Sequence, residues 1–244
     1  MECAQMGNAL VATGNRLHSL GWSPDFIGPS TTASANAAVY WDGMRAVPGA
    51  SALLSELSYH RYDQVSSSSL QQIGLRRTRD NVRTSMLERI GSGIDDLFED
   101  LTIANVSAWQ QFALGFCVPD DGSAYVINQS SPANPTVTLS ATGKLLSQVF
   151  RYVRSGAVRV AATSANGGQA NPVAFRNANG KYAVIVRTQG AQQLLIRGLP
   201  AGTYGVNYAT AASANVSATD VVITTGGAAS VSIPSAGAIT IFAR

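Results

Sequence analysis

Val82-Arg83-Thr84-Ser85-Met86-Leu87-Glu88 is a short buried-type strand that ends on a carboxylate, and the Gly-rich turn Ile90-Gly91-Ser92-Gly93 follows it. On either side stand helical patterns. Ser66 to Asp80 precedes it, with a serine run at the end where hydroxyls can cap. Ile94 to Asn105 follows, with Asp95, Asp96, Glu99 and Asp100 towards its N-terminal half, where carboxylates suit the helix dipole. The preceding strand, Glu56 to Tyr62, ends in Ser58-Tyr59-His60-Arg61-Tyr62. Strands that alternate with helices imply a parallel sheet with crossover helices. Functional side chains in such sheets gather at the strands' C-terminal ends.

Reading outward, Gln5 to Leu20 predicts an amphipathic helix stopped by Gly21, and Asp25-Phe26-Ile27-Gly28 a short buried strand. Ala35 to Met44 predicts a helix, Ser51 to Leu54 a helical turn, and Trp109 to Phe116 a strand. A polar hairpin-like insertion spans Asp120 to Leu139, and Gly143 to Arg154 is a closing helix. Four strand–helix units result, half of the eight in a complete (β/α) barrel. From Gly156 onward short β-rich runs replace the helices, among them Ala183-Val184-Ile185-Val186, Tyr204-Gly205-Val206-Asn207-Tyr208 and Ile239-Thr240-Ile241. Asn179-Gly180 marks a hairpin turn. The expected fold class is α/β plus all-β: a half (β/α) barrel over residues 1–155, followed by an antiparallel β-sandwich over 156–244.

Of the 244 residues, 45% are hydrophobic and 13% charged, which excludes a disordered tail or a coiled coil. The net charge of +3 is thinly spread. Its one basic run, Arg76-Arg77-Thr78-Arg79, is closed by Asp80 and reads as a solvated helix face, not a nucleic-acid patch. Cys3 and Cys117 show no metal-like spacing, and His18 and His60 are the only histidines, so neither a metal site nor a cofactor is expected. No phosphate-binding or dinucleotide fingerprint is present. Asp120-Asp121-Gly122 reads as a tight turn, not a calcium loop. The opening Met-Glu-Cys-Ala-Gln lacks the features of a signal peptide, and no apolar run approaches membrane-spanning length.

A carboxylate, a His-x-Tyr pair and a Trp at the ends of successive strands form a constellation suited to cleaving sugars. Retaining glycosidases need two carboxyl groups about 5 to 5.5 Å apart, one to attack the anomeric carbon and one to protonate the leaving oxygen. Glu88 is the candidate nucleophile. Tyr62 can hydrogen-bond that carboxylate, His60 can orient the pair or contact a hydroxyl, and Trp109 can floor the sugar ring. Tyr59 and Trp41 are further candidates for sugar contact. Each has a plainer reading as well: a strand-end Glu also caps turns, and a lone His or Trp is also a core residue. Glu56 lies nearer the other end of its strand and reads as structural.

Three segments carry a resemblance to a known family. Leu57-Ser58-Tyr59-His60-Arg61-Tyr62 resembles the sixth barrel strand of glycoside hydrolase family 30, and Thr84-Ser85-Met86-Leu87-Glu88 resembles the seventh, which bears the nucleophile. Trp109 matches the aromatic on strand eight. Phe150 to Ala157 resembles the last barrel helix as it enters the sandwich, and Ala174-Phe175-Arg176-Asn177 with Gly180-Lys181 resembles a sandwich hairpin. The likeness covers nearly the whole chain but only the C-terminal half of a family member. It implies a retaining hydrolase of β-linked polysaccharides or glucosides, secreted or extracytoplasmic. The family's acid/base motif, Asn-Glu-Pro, does not occur in the sequence. Glu2 is the one candidate to replace it.

Two functions therefore stand. The chain is a retaining glycoside hydrolase or a piece of one, or it is a carbohydrate-binding protein that lost its acid/base. A half-barrel leaves strand edges open, so homo-oligomers that shield those edges are expected. No nucleic-acid or membrane partner is expected.

Overall fold

The computed structural model of the chain describes residues 2–117, 122–131 and 133–244. Asp120 and Asp121, part of the turn read above, lie outside them. The chain divides into two units. One comprises the residues up to Ser92 with Asp96–Phe112, and the other Gly93–Asp95 with Ala113–Arg244.

The first unit follows the strand–helix order read from the sequence. Its elements are α1 (Cys3–Ser19), β1 (Phe26–Thr31), α2 (Ser34–Arg45), β2 (Leu54–His60), α3 (Ser67–Asp80), β3 (Arg83–Glu88), α4 (Ile94–Glu99), a π-helical turn over Asp100–Ala104, and β4 (Ala108–Trp109). The four strands form one parallel sheet in the order β1-β2-β3-β4. Local chemistry sets the helix limits. Ser66 Oγ accepts the Ser69 N–H at 3.0 Å to start α3, and Asn81 in the left-handed region ends it. Asp63, just beyond β2, starts α2: its Oδ2 accepts the Ala35 N–H at 3.0 Å and the Ser34 hydroxyl at 3.1 Å.

Alternation along the strands sorts the side chains. Leu57, Tyr59 and Met86 join Leu10, Ala37, Trp41, Met44, Leu70 and Ile73 in one core. Each large apolar side chain buried there contributes about 1.5–3 kcal/mol. The opposite face is polar. Ser30 and Ser58 hydroxyls meet at 2.7 Å, and Arg83 Nε stands 3.3 Å from the Glu56 carboxylate. The structural reading of Glu56 matches this pairing. The basic run is paired too: Arg76 and Arg79 both reach Asp42, and Arg77 donates to the Asn105 carbonyl.

The expected strand over Trp109 to Phe116 is much shorter. β4 ends at Trp109, and Gly115–Phe116 is a separate strand, β5, of the second unit. The second unit continues with β6 (Tyr125–Asn128), β7 (Thr136–Leu139), α5 (Ala141–Phe150), β8 (Val158–Val160), β9 (Ala170–Arg176), β10 (Tyr182–Thr188), β11 (Gln192–Arg197), β12 (Gly202–Thr210), β13 (Val216–Ile223), β14 (Ala228–Ile233) and β15 (Gly237–Ala243). β8, β9, β10, β12, β13 and β15 form an antiparallel sheet in the order β13-β12-β15-β10-β9-β8, and β11 pairs with β14. Both layers feed one core, which includes Val184, Val186, Tyr204, Val206, Val231, Ile233, Ile239 and Ile241. The turn at Asn179-Gly180 joins β9 to β10, with Gly180 at a φ of 80° that favours glycine.

The division at Phe112/Ala113 differs from the expected boundary at 155/156. The reason is α5, which packs against β12 and β15. Inside that packing Gln148 donates to Asn207 Oδ1 at 2.9 Å and accepts from the Thr240 hydroxyl at 2.9 Å, all three residues being buried. Unsatisfied, these groups would cost about 1–3 kcal/mol each.

Candidate active site

Glu88 closes β3, and β2 runs beside it in register up to Tyr59↔Met86. The register then slips, so that His60 pairs with Glu88 and Leu87 is left over. Such a bulge re-aims the side chains beyond it. Tyr62, two residues past the strand end, donates its hydroxyl to Glu88 Oε1 at 3.0 Å and accepts the Ile90 N–H at 3.2 Å. His60 Nδ1 stands 3.9 Å from the same carboxylate oxygen. The His60 and Tyr62 rings meet edge to face, 6.1 Å between centroids. Main-chain bonds fix the segment: Arg61 N–H to Glu88 O at 3.3 Å and Tyr62 N–H to Thr32 O at 3.0 Å. Partial desolvation, then the bond to the carboxylate, push the Tyr62 phenol above its ordinary pKa, so it stays a donor at neutral pH. The three side chains are reachable from solvent, with 38% of the Glu88 side chain and 20% of the His60 side chain exposed.

Tyr59 of β2 and Arg61, just past its end, point the other way. Tyr59 Oη donates to Asp100 Oδ1 at 2.6 Å, and Arg61 Nη1 donates to the same oxygen at 2.7 Å. Arg61 Nη2 reaches Asp96 Oδ1 and Glu99 Oε2, both at 2.9 Å. The Trp109 indole N–H donates to Asp100 Oδ2 at 2.9 Å. Burial pushes the Asp100 carboxyl up, against the pull of Arg61 and the Tyr59 and Trp109 donors. Burial, then the Asp100 charge, push the Tyr59 phenol well above its ordinary value. A group whose pKa rises on folding contributes stability that is present below its unfolded value and lost as pH climbs towards the folded one. Unfolded tyrosine ionises near pH 10, about where that loss begins. Tyr59→Phe should lower stability at pH 7 by about 1 kcal/mol through the lost hydrogen bond. It should also flatten the fall of the urea midpoint between pH 9 and 11. Parallel alkaline curves for the two proteins would contradict this.

Four expected site residues fall elsewhere. Tyr59 is fully buried and committed to Asp100, so it offers a sugar no surface. Trp41 is also fully buried. It packs in the helix layer and donates its N–H to Asp80 Oδ2 at 2.7 Å. That contact and, above all, the Arg79 hydrogen bond hold the Asp80 carboxyl down at about 2. Trp109 is half-buried against the same core, with its polar edge turned to Asp100, so at most part of its ring is open to a ligand. Glu2 does not reach the group at all. α2 begins beside Asp63, at the end of the sheet where Tyr62 stands, and about 13 Å of helical rise separate its start from Gly43. Gly43 abuts Cys3 so closely that a Cβ there would collide with it. Glu2, next to Cys3, therefore stands well down the helix layer from Glu88 and outside the carboxyl spacing of a retaining pair. Its backbone N–H instead bonds Gln5 Oε1 at 3.0 Å at the start of α1.

The network around Asp100 was not anticipated from sequence. The signal for it was the parity of the 57–62 stretch: if His60 and Tyr62 face one side, Tyr59 and Arg61 must face the other.

No protein-family model matches the sequence, and neither does any curated protein. Solved structures do. The catalytic domain of GH30 xylanase C from Talaromyces cellulolyticus superposes over 100% of this chain with a TM-score of 0.76 at 18% identity. The chain has a family 30 glycoside hydrolase fold. A conserved exported protein from Bacteroides fragilis gives a TM-score of 0.81 at 12% identity over 98% of the chain. The endo-β1,6-glucanase BT3312 gives 0.71 at 16% over 100%. The chain spans 57%, 60% and 54% of these three structures, a little over half of each. The mixed α/β and β content of the family 30 catalytic domains is that of the two units described here.

Proposed function

We propose that this chain is the nucleophile-bearing part of a retaining β-glycoside hydrolase, with Glu88 as the nucleophile. The four parallel strands are then half of a (β/α) barrel, and the second unit's two layers are its companion β-sandwich. The observation that carries the reading is the hydrogen bond from Tyr62 to Glu88 Oε1, beside His60, at the C-terminal strand ends of a glycoside-hydrolase fold. With Oε1 occupied by that donor, Oε2 is left to attack the anomeric carbon. The carbon–oxygen bond to the leaving group breaks as the ester to Glu88 forms, and water later releases the sugar with its original configuration. Tyr62 fixes the carboxylate's angle, and His60 is placed to contact the sugar or orient the pair. No step needs a metal or cofactor.

Protonating the leaving oxygen requires a second carboxyl group. With Glu2 set aside, that role is assigned to no residue of this chain. Copies of the chain are proposed to associate through the open edges of the parallel sheet. The polar serine-lined face makes strand pairing the expected mode of contact, not apolar docking. The substrate class is a β-linked polysaccharide or glucoside outside the cytoplasm, and linkage is left open.

The test uses aryl β-xylosides and β-glucosides with activated leaving groups, which need little protonation to depart. Proton NMR should show the β-anomer of the released sugar first. An α-anomer formed first would rule out a glycosyl-enzyme ester.

A further inference from the structure

Behind the Glu88 group, on the helix side of the sheet, one buried carboxylate joins two strands. Asp100 has no exposed surface, and both its oxygens are occupied. Oδ1 accepts from Tyr59 and Arg61 of the β2 end, and Oδ2 from Trp109 of β4. The site's own residues are the intervening ones: His60 lies between Tyr59 and Arg61, and Tyr62 follows Arg61. Because side chains alternate along an extended chain, holding 59 and 61 on one side holds 60 and 62 on the other. Arg61 also donates its backbone N–H to the Glu88 carbonyl, so the same residue ties β2 to the end of β3. Asp100 opens the π-helical turn that follows α4. Such turns are rare, and they recur where a side chain must be aimed at a functional site.

We propose that Asp100 is a positioning residue of the candidate active site. By anchoring Tyr59, Arg61 and Trp109 from behind, it sets the placement of His60 and Tyr62 against Glu88. The role in turnover rests on the reading of Glu88 as nucleophile; the role in placement does not. Asp100→Asn separates the two. The amide oxygen can serve Tyr59 and Arg61, but its NH2 then faces the Trp109 N–H, donor against donor. The clamp opens at one jaw with little change in volume.

The experiment reads placement and turnover in the same protein. The chain has two histidines, so ring C–H resonances give one signal for His60 and an internal reference from exposed His18. Indole N–H resonances report Trp109, assigned with Trp109→Phe. In Asp100→Asn the Trp109 and His60 signals should move while His18 stays. In Asp42→Asn, which disturbs the separate Arg76–Arg79 pairing, His60 should not move. With an activated aryl β-glycoside, Asp100→Asn should lose about 10- to 100-fold in kcat with KM little changed, the scale of a misplaced reacting group. A folded Asp100→Asn protein in which His60 and kcat match the parent overturns the proposal. Should that variant fail to fold, Tyr59→Phe removes one bond of the clamp at nearly constant shape. A moved His60 signal then supports the proposal and an unmoved one overturns it. If Glu88→Gln hydrolyses as well as the parent, the reading of Glu88 fails, and the His60 signal still decides the role of Asp100.

Discussion

Glu88→Gln should cost about 10⁴-fold or more in the hydrolysis of an activated aryl β-glycoside, the scale on which removal of a covalent nucleophile is felt. The amide keeps the size of the side chain and still offers an oxygen to the Tyr62 hydroxyl. It has no negative oxygen with which to attack carbon. The fold should be indifferent, because more than a third of the Glu88 side chain is exposed and its bonds are confined to the strand end. Substitutions of that kind usually stay within about 0.5 kcal/mol. The carbohydrate-binding alternative makes a different forecast. The parent would not hydrolyse the glycoside at all, and parent and variant would hold an oligosaccharide equally well. A variant that hydrolyses like an active parent would contradict both readings of Glu88.

Arg61→Met should destabilise the first unit by about 3–5 kcal/mol, the range for breaking a buried charge pair from one side. The Arg61 side chain is 2% exposed and Asp100 is 0% exposed, so the interaction is screened very little. Methionine fills much of the same space. It leaves Asp100 with the Tyr59 and Trp109 donors and removes the guanidinium that is hydrogen-bonded to its Oδ1. The neighbouring acids are less affected: Asp96 keeps Arg89 at 2.8 Å, and more than half of the Glu99 side chain is exposed. All three tryptophans, Trp22, Trp41 and Trp109, belong to the first unit, so fluorescence during urea unfolding follows that unit by itself. A loss below about 1 kcal/mol would mean the guanidinium is solvated in a way its burial does not allow.

The sequence carried the parallel sheet because its signals are local. Serine and asparagine caps, short apolar runs and helical spacing each act over a few residues, and β2, α3 and β3 fall within two residues of their expected limits. The sequence also held the site's front, since His60, Tyr62 and Glu88 sit at strand ends where parallel sheets present functional groups. Less was legible where distant partners decide. α5 has ordinary helical periodicity, and only its buried bonds to Asn207 and Thr240 assign it to the second unit. β4 stops at Trp109, ahead of Gln110 and Gln111, although Phe112, Ala113 and Leu114 further on are apolar. Trp41 reads as a candidate for sugar contact, yet Ala37, Trp41 and Met44 keep the spacing of one helix face and all three are core. Asp100 looked like one member of an acidic helix front. What sets it apart from Asp95, Asp96 and Glu99 is full burial against Tyr59, Arg61 and Trp109, partners on other elements that no periodicity announces.

The central claim is that Glu88 forms a bond to the sugar. The direct measurement is mass spectrometry after incubation with 2,4-dinitrophenyl 2-deoxy-2-fluoro-β-glycosides of xylose and glucose, which form the glycosyl ester quickly and release it slowly. Tryptic digestion isolates Glu88 in the peptide Thr84–Arg89. The account predicts one fluorosugar on that peptide, located on Glu88 and missing from Glu88→Gln. A label on another residue, or no label on the parent, would contradict it.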